Sequence, residues 1–259
     1  MLEREVQNTG KVLVLGHRGA MGHAPENTMV SFAKGLELGA DMLELDIHMS
    51  RDGELIVMHD GEVARTTDGK GHIKDLTVAE IKKLDAGSKF DARFRGERVP
   101  KLVEVVEWAK PRIPLVIEIK GDPIPSAGIE EKLVKLLREF GTLDDTMVIS
   151  FHHPSVKRVK ELEPRVMTGI LFTGMLVDPV AAARAALADS VRPAYAYWTP
   201  ELVAQVHAAG LGASSWVVNT EAEMDYVVPM GLDSLGSNFP ERLRAYVDRV
   251  GRGWNRQSS

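Results

Sequence analysis

Eight short apolar runs rich in Val, Ile and Leu alternate with amphipathic stretches along this chain, and no other feature constrains its fold as much. The runs cover 12–16, 42–48, 115–120, 146–151, 166–172, 191–195, 212–218 and 233–239. Most are continuously apolar, as strands buried on both faces are. Between them, Met29, Phe32, Ala33 and Leu36 have the i, i+3, i+4, i+7 spacing of one helix face, and Leu102, Val105, Val106 and Ala109 repeat it, as do Leu133, Leu136, Leu137 and Phe140. Asn27 stands where it could cap the first of these helices and Gly39 where it could end it. Asp178-Pro179 and Thr199-Pro200 read as an N-cap followed by proline, and Thr220 with Glu223 as a capping box. Strand–helix alternation implies parallel strands joined by right-handed crossovers. Eight such units close into a (β/α)₈ barrel of the α/β class, and 259 residues suit one domain of that kind.

One segment departs from the rhythm. Ser50-Arg51-Asp52-Gly53 separates the second run from a further apolar stretch, 55–58. So short a turn cannot carry a parallel crossover, and Asp-Gly is a hairpin signal. The stretch 55–58 is therefore predicted to return as an antiparallel arm over the barrel mouth. It opens an insertion, about 51–100, in the second βα loop, with one short helix near 76–84 and a capping box from Thr77 and Glu80.

Composition narrows the chemistry. With no cysteine there is neither a disulfide nor a thiolate ligand or nucleophile. A formal net charge of −5 does not suit general nucleic-acid binding. The first ten residues are polar and no apolar run approaches a membrane span, so neither a signal peptide nor stable membrane insertion is expected and a cytoplasmic location is. The polar tail, 251–259, is expected to fray. Oligomeric state is left open.

Active sites of such barrels lie at the strand C-terminal ends, and there the sequence concentrates ionisable groups. The first strand ends in His17-Arg18-Gly19, the second holds Glu44 and Asp46, the third Glu118 and Lys120, and the arm ends in His59-Asp60. Residues two apart on a strand share a face, so Glu44 and Asp46 can both point into the mouth. Three neighbouring buried carboxylates repel and raise one another's pKa, which a divalent cation resolves. Oxygen donors suit Ca²⁺ or Mg²⁺ better than zinc, with Mn²⁺ also compatible. His17 and His59, flanking the cluster, suit an acid and base pair. Arg18 and Lys120 would place positive charge beside the cation, or bridge to Glu44 or Glu118. Together these groups suit an anion that gains charge in its transition state, as in phosphate ester cleavage.

The ordered set His17-Arg18-Gly19, Pro25-Glu26-Asn27-Thr28, Glu44-Leu45-Asp46, Asp52-Gly53, His59-Asp60, Arg65-Thr66-Thr67, Glu118-Ile119-Lys120, Ser150-Phe151, Thr199-Pro200-Glu201-Leu202, and Trp216 with Asn219 resembles the glycerophosphodiester phosphodiesterase family over nearly the whole chain. The resemblance implies Glu44, Asp46 and Glu118 as metal ligands with Glu26 nearby, and His17 and His59 as general base and acid. It implies Arg18 and Lys120 as phosphate contacts and Trp216 as the aromatic against the glycerol. It also implies a glycerophosphodiester substrate and glycerol 3-phosphate plus an alcohol as products. In the family one histidine deprotonates a glycerol hydroxyl that attacks phosphorus, and water then opens the cyclic phosphate; the residues alone allow direct attack by water equally. Three departures fall on the last strands. Asn238 stands where the family usually has Asp, Trp216-Val217-Val218-Asn219 replaces Trp-Thr-Val-Asn, and Arg192 replaces a small polar residue or histidine. Arg192, Tyr195, Tyr197 and Trp198 are candidates for lining the mouth, with core packing the competing expectation. His152 and His153 are read as loop residues. Competing functions are a related enzyme acting on lysophospholipids or other phosphodiesters, and a non-catalytic barrel. The second would lose one of His17, His59, Glu44, Asp46 or Glu118, and none is lost.

Overall fold

The structure, a computed structural model, describes residues 2–121 and 123–254. Among these, nine strands form one sheet: β1 (Leu13–Gly16), β2 (Met42–Met49), β3 (Leu55–Val57), β4 (Leu115–Ile119), β5 (Thr146–Ser150), β6 (Met167–Phe172), β7 (Ser190–Pro193), β8 (Gly212–Ser215) and β9 (Ser234–Ser237). All but β3 run parallel, and β1 pairs with both β2 and β9, so eight strands close as the apolar runs predict. The third, β3, is the antiparallel arm, with Ile47 opposite Val57 and Met49 opposite Leu55.

Period two divides the barrel. Val14, Leu43, Leu45, Ile117 and Val148 face the surrounding helices. Leu13, Leu15, Met42, Val116, Met147, Ile149 and Leu171 form an interior cluster. Glu44 and Asp46 follow Met42 at intervals of two, and Glu118 follows Val116, so the acids continue the inward rows toward the mouth. The segment after β3 has its own small core of Ile56, Met58, Val63, Ile73, Ile81, Ala86 and Val99.

Caps fall mostly where expected. Asp178 caps the helix Pro179–Ala185, Thr199 caps the helix Pro200–Ala208, and the Thr220–Glu223 box opens the helix Glu221–Val227. The Thr77–Glu80 box is present, but its helix, α2 (Val78–Ile81), is a single turn rather than the longer stretch expected. The helix α1 (Met29–Glu37) is capped by Thr28, whose hydroxyl accepts from the Ser31 N–H, and not by Asn27. Asn27 is instead drawn to Asp46.

Several strands end earlier than the apolar runs, since near the mouth the backbone leaves the ladder. Tyr195–Tyr197 forms a 3-10 turn, and Trp216 keeps only an isolated bridge to Ala194. The opposite end is closed by a 3-10 helix, Leu2–Val6, which buries Glu5 completely. Its Oε2 accepts from Arg192 Nη1 at 3.0 Å and Ser214 Oγ at 2.6 Å. Arg192 thus borders the mouth cavity, as one expectation had it, while its guanidinium reaches down into the barrel to the Glu5 carboxylate, as the competing expectation of core packing had it. Trp198 is likewise core, fully buried with its Nε1 donating to the Ser214 carbonyl. The expected fraying does not extend to 251–254, since Gly253 bridges to Val12 and Trp254 packs on the interior cluster; 255–259 lie outside the described residues. Among the described residues no helix is long and apolar enough to cross a membrane.

Candidate active site

A cavity opens at the C-terminal ends of the strands. Leu15, Ile149 and Leu171 make its floor, Phe151 and Trp216 one wall, and His17, Arg18, Glu44, His59, Glu118 and Lys120 its polar side. The two aromatic rings meet edge to face at 5.5 Å, and Trp216 Nε1 is fixed by the Arg192 carbonyl at 2.9 Å.

A tight turn after β1 delivers the first histidine. Arg18 adopts φ 50° and Gly19 φ 87°; a Cβ on Gly19 would lie about 2.5 Å from the backbone of Ser31, so only glycine passes there. The turn aims the Arg18 N–H at Glu44 Oε2, 2.9 Å away. His17 Nδ1 lies 2.7 Å from Asn238 Oδ1, across 221 residues of chain. A neutral ring must donate from Nδ1 to that oxygen, which leaves the Nε2 lone pair, 3.9 Å from Glu44 Oε2, as the base. Burial, helped by the Arg18 charge, lowers this ring to about 4.

Glu44, Asp46 and Glu118 are buried and offer oxygens within 4.8 Å of one another. Burial and the neighbouring Asp46 push the Glu44 carboxyl well above its usual range and lift Glu118 to about 7. Burial would raise Asp46 too, but Arg18 and Lys120 outweigh it and hold that carboxyl ionised. Asp46 Oδ2 accepts from Asn27 Nδ2 at 2.8 Å, whereas its buried Oδ1 has no hydrogen-bond partner. An oxygen-only trio with one orphaned anionic atom fits a hard divalent cation.

Arg18 and Lys120, expected beside phosphate, are both engaged with acids. Arg18 reaches Glu26 at 2.8 Å and Asp46 at 3.4 Å, and Lys120 Nζ reaches Glu118 at 2.8 Å and Asp46 at 3.7 Å. Lys120 Nζ also lies 3.1 Å from His59 Nε2.

His59, at the end of the arm, donates from Nδ1 to Asp60 Oδ1 at 2.6 Å. Its carbonyl is held by His48 Nε2 at 3.0 Å. Desolvation lowers the His59 ring below its ordinary value. Desolvation would raise Asp60, but bonds from Arg65 and His59 keep it ionised. All eight residues expected at the site thus converge there, Asp46 from just behind the cavity wall. The sequence assigned no task at the site to Asp60, Arg65, Asn27 or Asn238. Asp60 was signalled by adjacency to His59 and by its place in the set that resembles the family. His152 and His153, expected in a loop, stand at the N-cap and first position of the helix His153–Leu162; they bond Ser155 and the Leu171 carbonyl, and neither lines the cavity.

Comparison with known proteins gives the family. The model of the glycerophosphoryl diester phosphodiesterase family matches residues 17–242. A glycerophosphodiester phosphodiesterase of Caldanaerobacter subterraneus is 41% identical over 93% of this chain and all of its own length. Among solved structures, a glycerophosphodiester phosphodiesterase of Agrobacterium tumefaciens (29% identity, TM-score 0.80) covers 90% of this chain and 99% of its own. An Oleispira antarctica phosphodiesterase holding the product sn-glycerol-3-phosphate (26% identity, TM-score 0.83) covers 92% and 97%. The likeness spans both flanks of the cavity, from His17 just after the first strand to the start of the last helix, and on that extent the chain belongs to the glycerophosphoryl diester phosphodiesterase family.

Proposed function

We propose that this chain hydrolyses glycerophosphodiesters to glycerol 3-phosphate and an alcohol in a metal-dependent reaction, with the whole chain, insertion included, acting as one catalytic domain. The observation that carries the reading is two histidines with differently fixed Nδ1 partners facing one buried acidic trio across an apolar-floored cavity. Glu44, Asp46 and Glu118 would hold one divalent cation, Ca²⁺ or Mg²⁺ with Mn²⁺ also compatible, and the cation would offset charge growing on phosphate oxygens. The Oleispira relative with sn-glycerol-3-phosphate bound supports the product.

The protein's own groups define the proton movements. His17 Nε2 accepts the proton of a glycerol hydroxyl, whose oxygen attacks phosphorus. Asn238 keeps the proton on Nδ1 and so keeps Nε2 available. His59, as the imidazolium held by Asp60 at Nδ1, delivers its Nε2 proton to the departing alcohol and is left neutral, while Lys120, 3.1 Å from that nitrogen, stays a cation. The histidines exchange roles when water opens the cyclic phosphate. Arg18 and Lys120 supply positive charge to the phosphate, and Trp216, against Phe151, shields the glycerol.

The test is glycerol 3-phosphate release from glycerophosphocholine after EDTA treatment and restoration of Ca²⁺, Mg²⁺ or Mn²⁺, with His17→Ala and His59→Ala alongside. Cation-dependent release abolished by both substitutions supports the reading. No release with any cation, across several glycerophosphodiesters, overturns it.

A further inference from the structure

The insertion supplies more than His59. Arg65, six residues on and outside the cavity lining, uses one guanidinium for two carboxylates. Its Nε and Nη2 bond Asp60 Oδ2 and Oδ1 at 2.5 and 3.1 Å, and its Nη1 and Nη2 bond Glu26 Oε2 and Oε1 at 2.8 and 2.7 Å. Each acid passes the constraint inward. Asp60 Oδ1 holds His59 Nδ1 at 2.6 Å, and Glu26 Oε1 holds Arg18 Nη1 at 2.8 Å. Asp60 lies just beyond the arm and Glu26 on the loop after β1, so the guanidinium bridges two separately built segments.

We infer that Arg65 is a positioning residue for this site: by clasping Asp60 and Glu26 together it sets the ring of His59 and the guanidinium of Arg18 in one mutual geometry. The inference rests on the proposed phosphodiester hydrolysis for its kinetic readout. A side chain 46% exposed adds little to fold stability through ion pairs, so what this geometry supplies is placement. Lysine cannot replace it, because the two forks take four N–H groups fixed in one plane, and an ammonium offers three that are not. Displacing a reacting group by about 1 Å costs about 100-fold in rate.

The experiment compares wild type, Arg65→Ala and Arg65→Lys. Both variants are expected to lose about 100-fold in kcat with KM changed less than about threefold. Guanidinium ions added to Arg65→Ala are expected to restore activity, since the vacated place is open to solvent, whereas ammonium ions at equal ionic strength are not. The His59 Nδ1 proton resonance, read by NMR without turnover, is expected to shift in Arg65→Ala and return with guanidinium. Wild-type kcat in both variants, a rise confined to KM, or an unmoved His59 resonance overturns the inference. If Arg65→Ala does not fold, Arg65→Lys and its resonance decide alone. Absence of release by wild type sinks the proposed function, while the resonance still tests the clasp.

Discussion

Replacing Asn238 by Asp puts a charge on the atom that already holds His17. The Nδ1–Oδ1 distance is 2.7 Å, and the ring stands at about 4 because burial and Arg18 disfavour its cationic form. A carboxylate so close favours that form, and such a partner typically lifts the ring to between about 5 and 7. A base must be neutral to accept a proton. At pH 5 a ring at about 4 is roughly 90% neutral, while one at about 5 is half neutral and one at about 7 about 1% neutral. The variant should therefore lose between about twofold and about 100-fold in kcat/KM at pH 5. At pH 8 it should equal or exceed wild type, because both rings are then neutral and the variant's is the stronger base. The assay is the pH profile of kcat/KM for both proteins at saturating cation, so that the cation's own influence on the ring is common to both. Acid limbs that coincide, with activity intact, would refute both the role of Nε2 and the electrostatic account of Asn238.

Calorimetric titration of EDTA-treated protein with Ca²⁺ or Mg²⁺ should show affinity falling as pH drops below 7, by up to about tenfold per unit, because the ligand must displace the proton that burial places on Glu118; equal affinity from pH 5 to 8 would contradict the trio as the site. Asn27→Ala should destabilise by about 1–3 kcal/mol in urea unfolding, since the buried Asp46 carboxylate loses its 2.8 Å donor; a change below about 0.5 kcal/mol would deny Asn27 that role. Arg192→Leu should cost about 3–5 kcal/mol by leaving Glu5 buried and unpaired, and Glu5→Leu in the same chain should recover part of it; strictly additive losses would show that the two side chains do not interact.

The barrel was legible because its strands are buried twice over, by helices outside and by packing within, which leaves unbroken apolar runs with few other uses. The site was legible for a related reason. Glu44, Asp46 and Glu118 interrupt those runs at inward positions, and burial without compensation is too costly to be accidental. Partnerships made across the chain were not legible. Asn27 looks like a cap because Asn often is one, yet its side chain is taken by Asp46 and the cap passes to Thr28. Arg192 is 187 residues from Glu5, and nothing local says that the N-terminal helix brings an acid into the barrel. The space for that arginine is cut by small residues: a Cβ on Gly169 would meet Arg192 Cδ at 2.7 Å, and Ser234 Oγ approaches its Nη2 at 3.5 Å. Read in sequence, those small residues are only weak strand formers.

Formal charge at the mouth explains why the expected phosphate contacts are found on acids. Glu26, Glu44, Asp46, Asp60 and Glu118 are opposed by Arg18, Arg65 and Lys120, and each base touches at least two of these acids. With every acid ionised, the excess is two negative charges. That excess would repel a phosphodiester, and it adds to burial, the larger cause, in raising the Glu44 and Glu118 carboxyls. A doubly charged cation balances it without a proton. Arg18 and Lys120 then face the substrate anion as cations whose charge is not already spent on neutralising the trio. On this argument a singly charged ion of similar size is no substitute, since it leaves one carboxyl protonated and the mouth still repulsive. Na⁺ or Li⁺ at concentrations that fill the site should therefore leave the enzyme inactive, and activity with either as the sole cation would require another source for the missing positive charge.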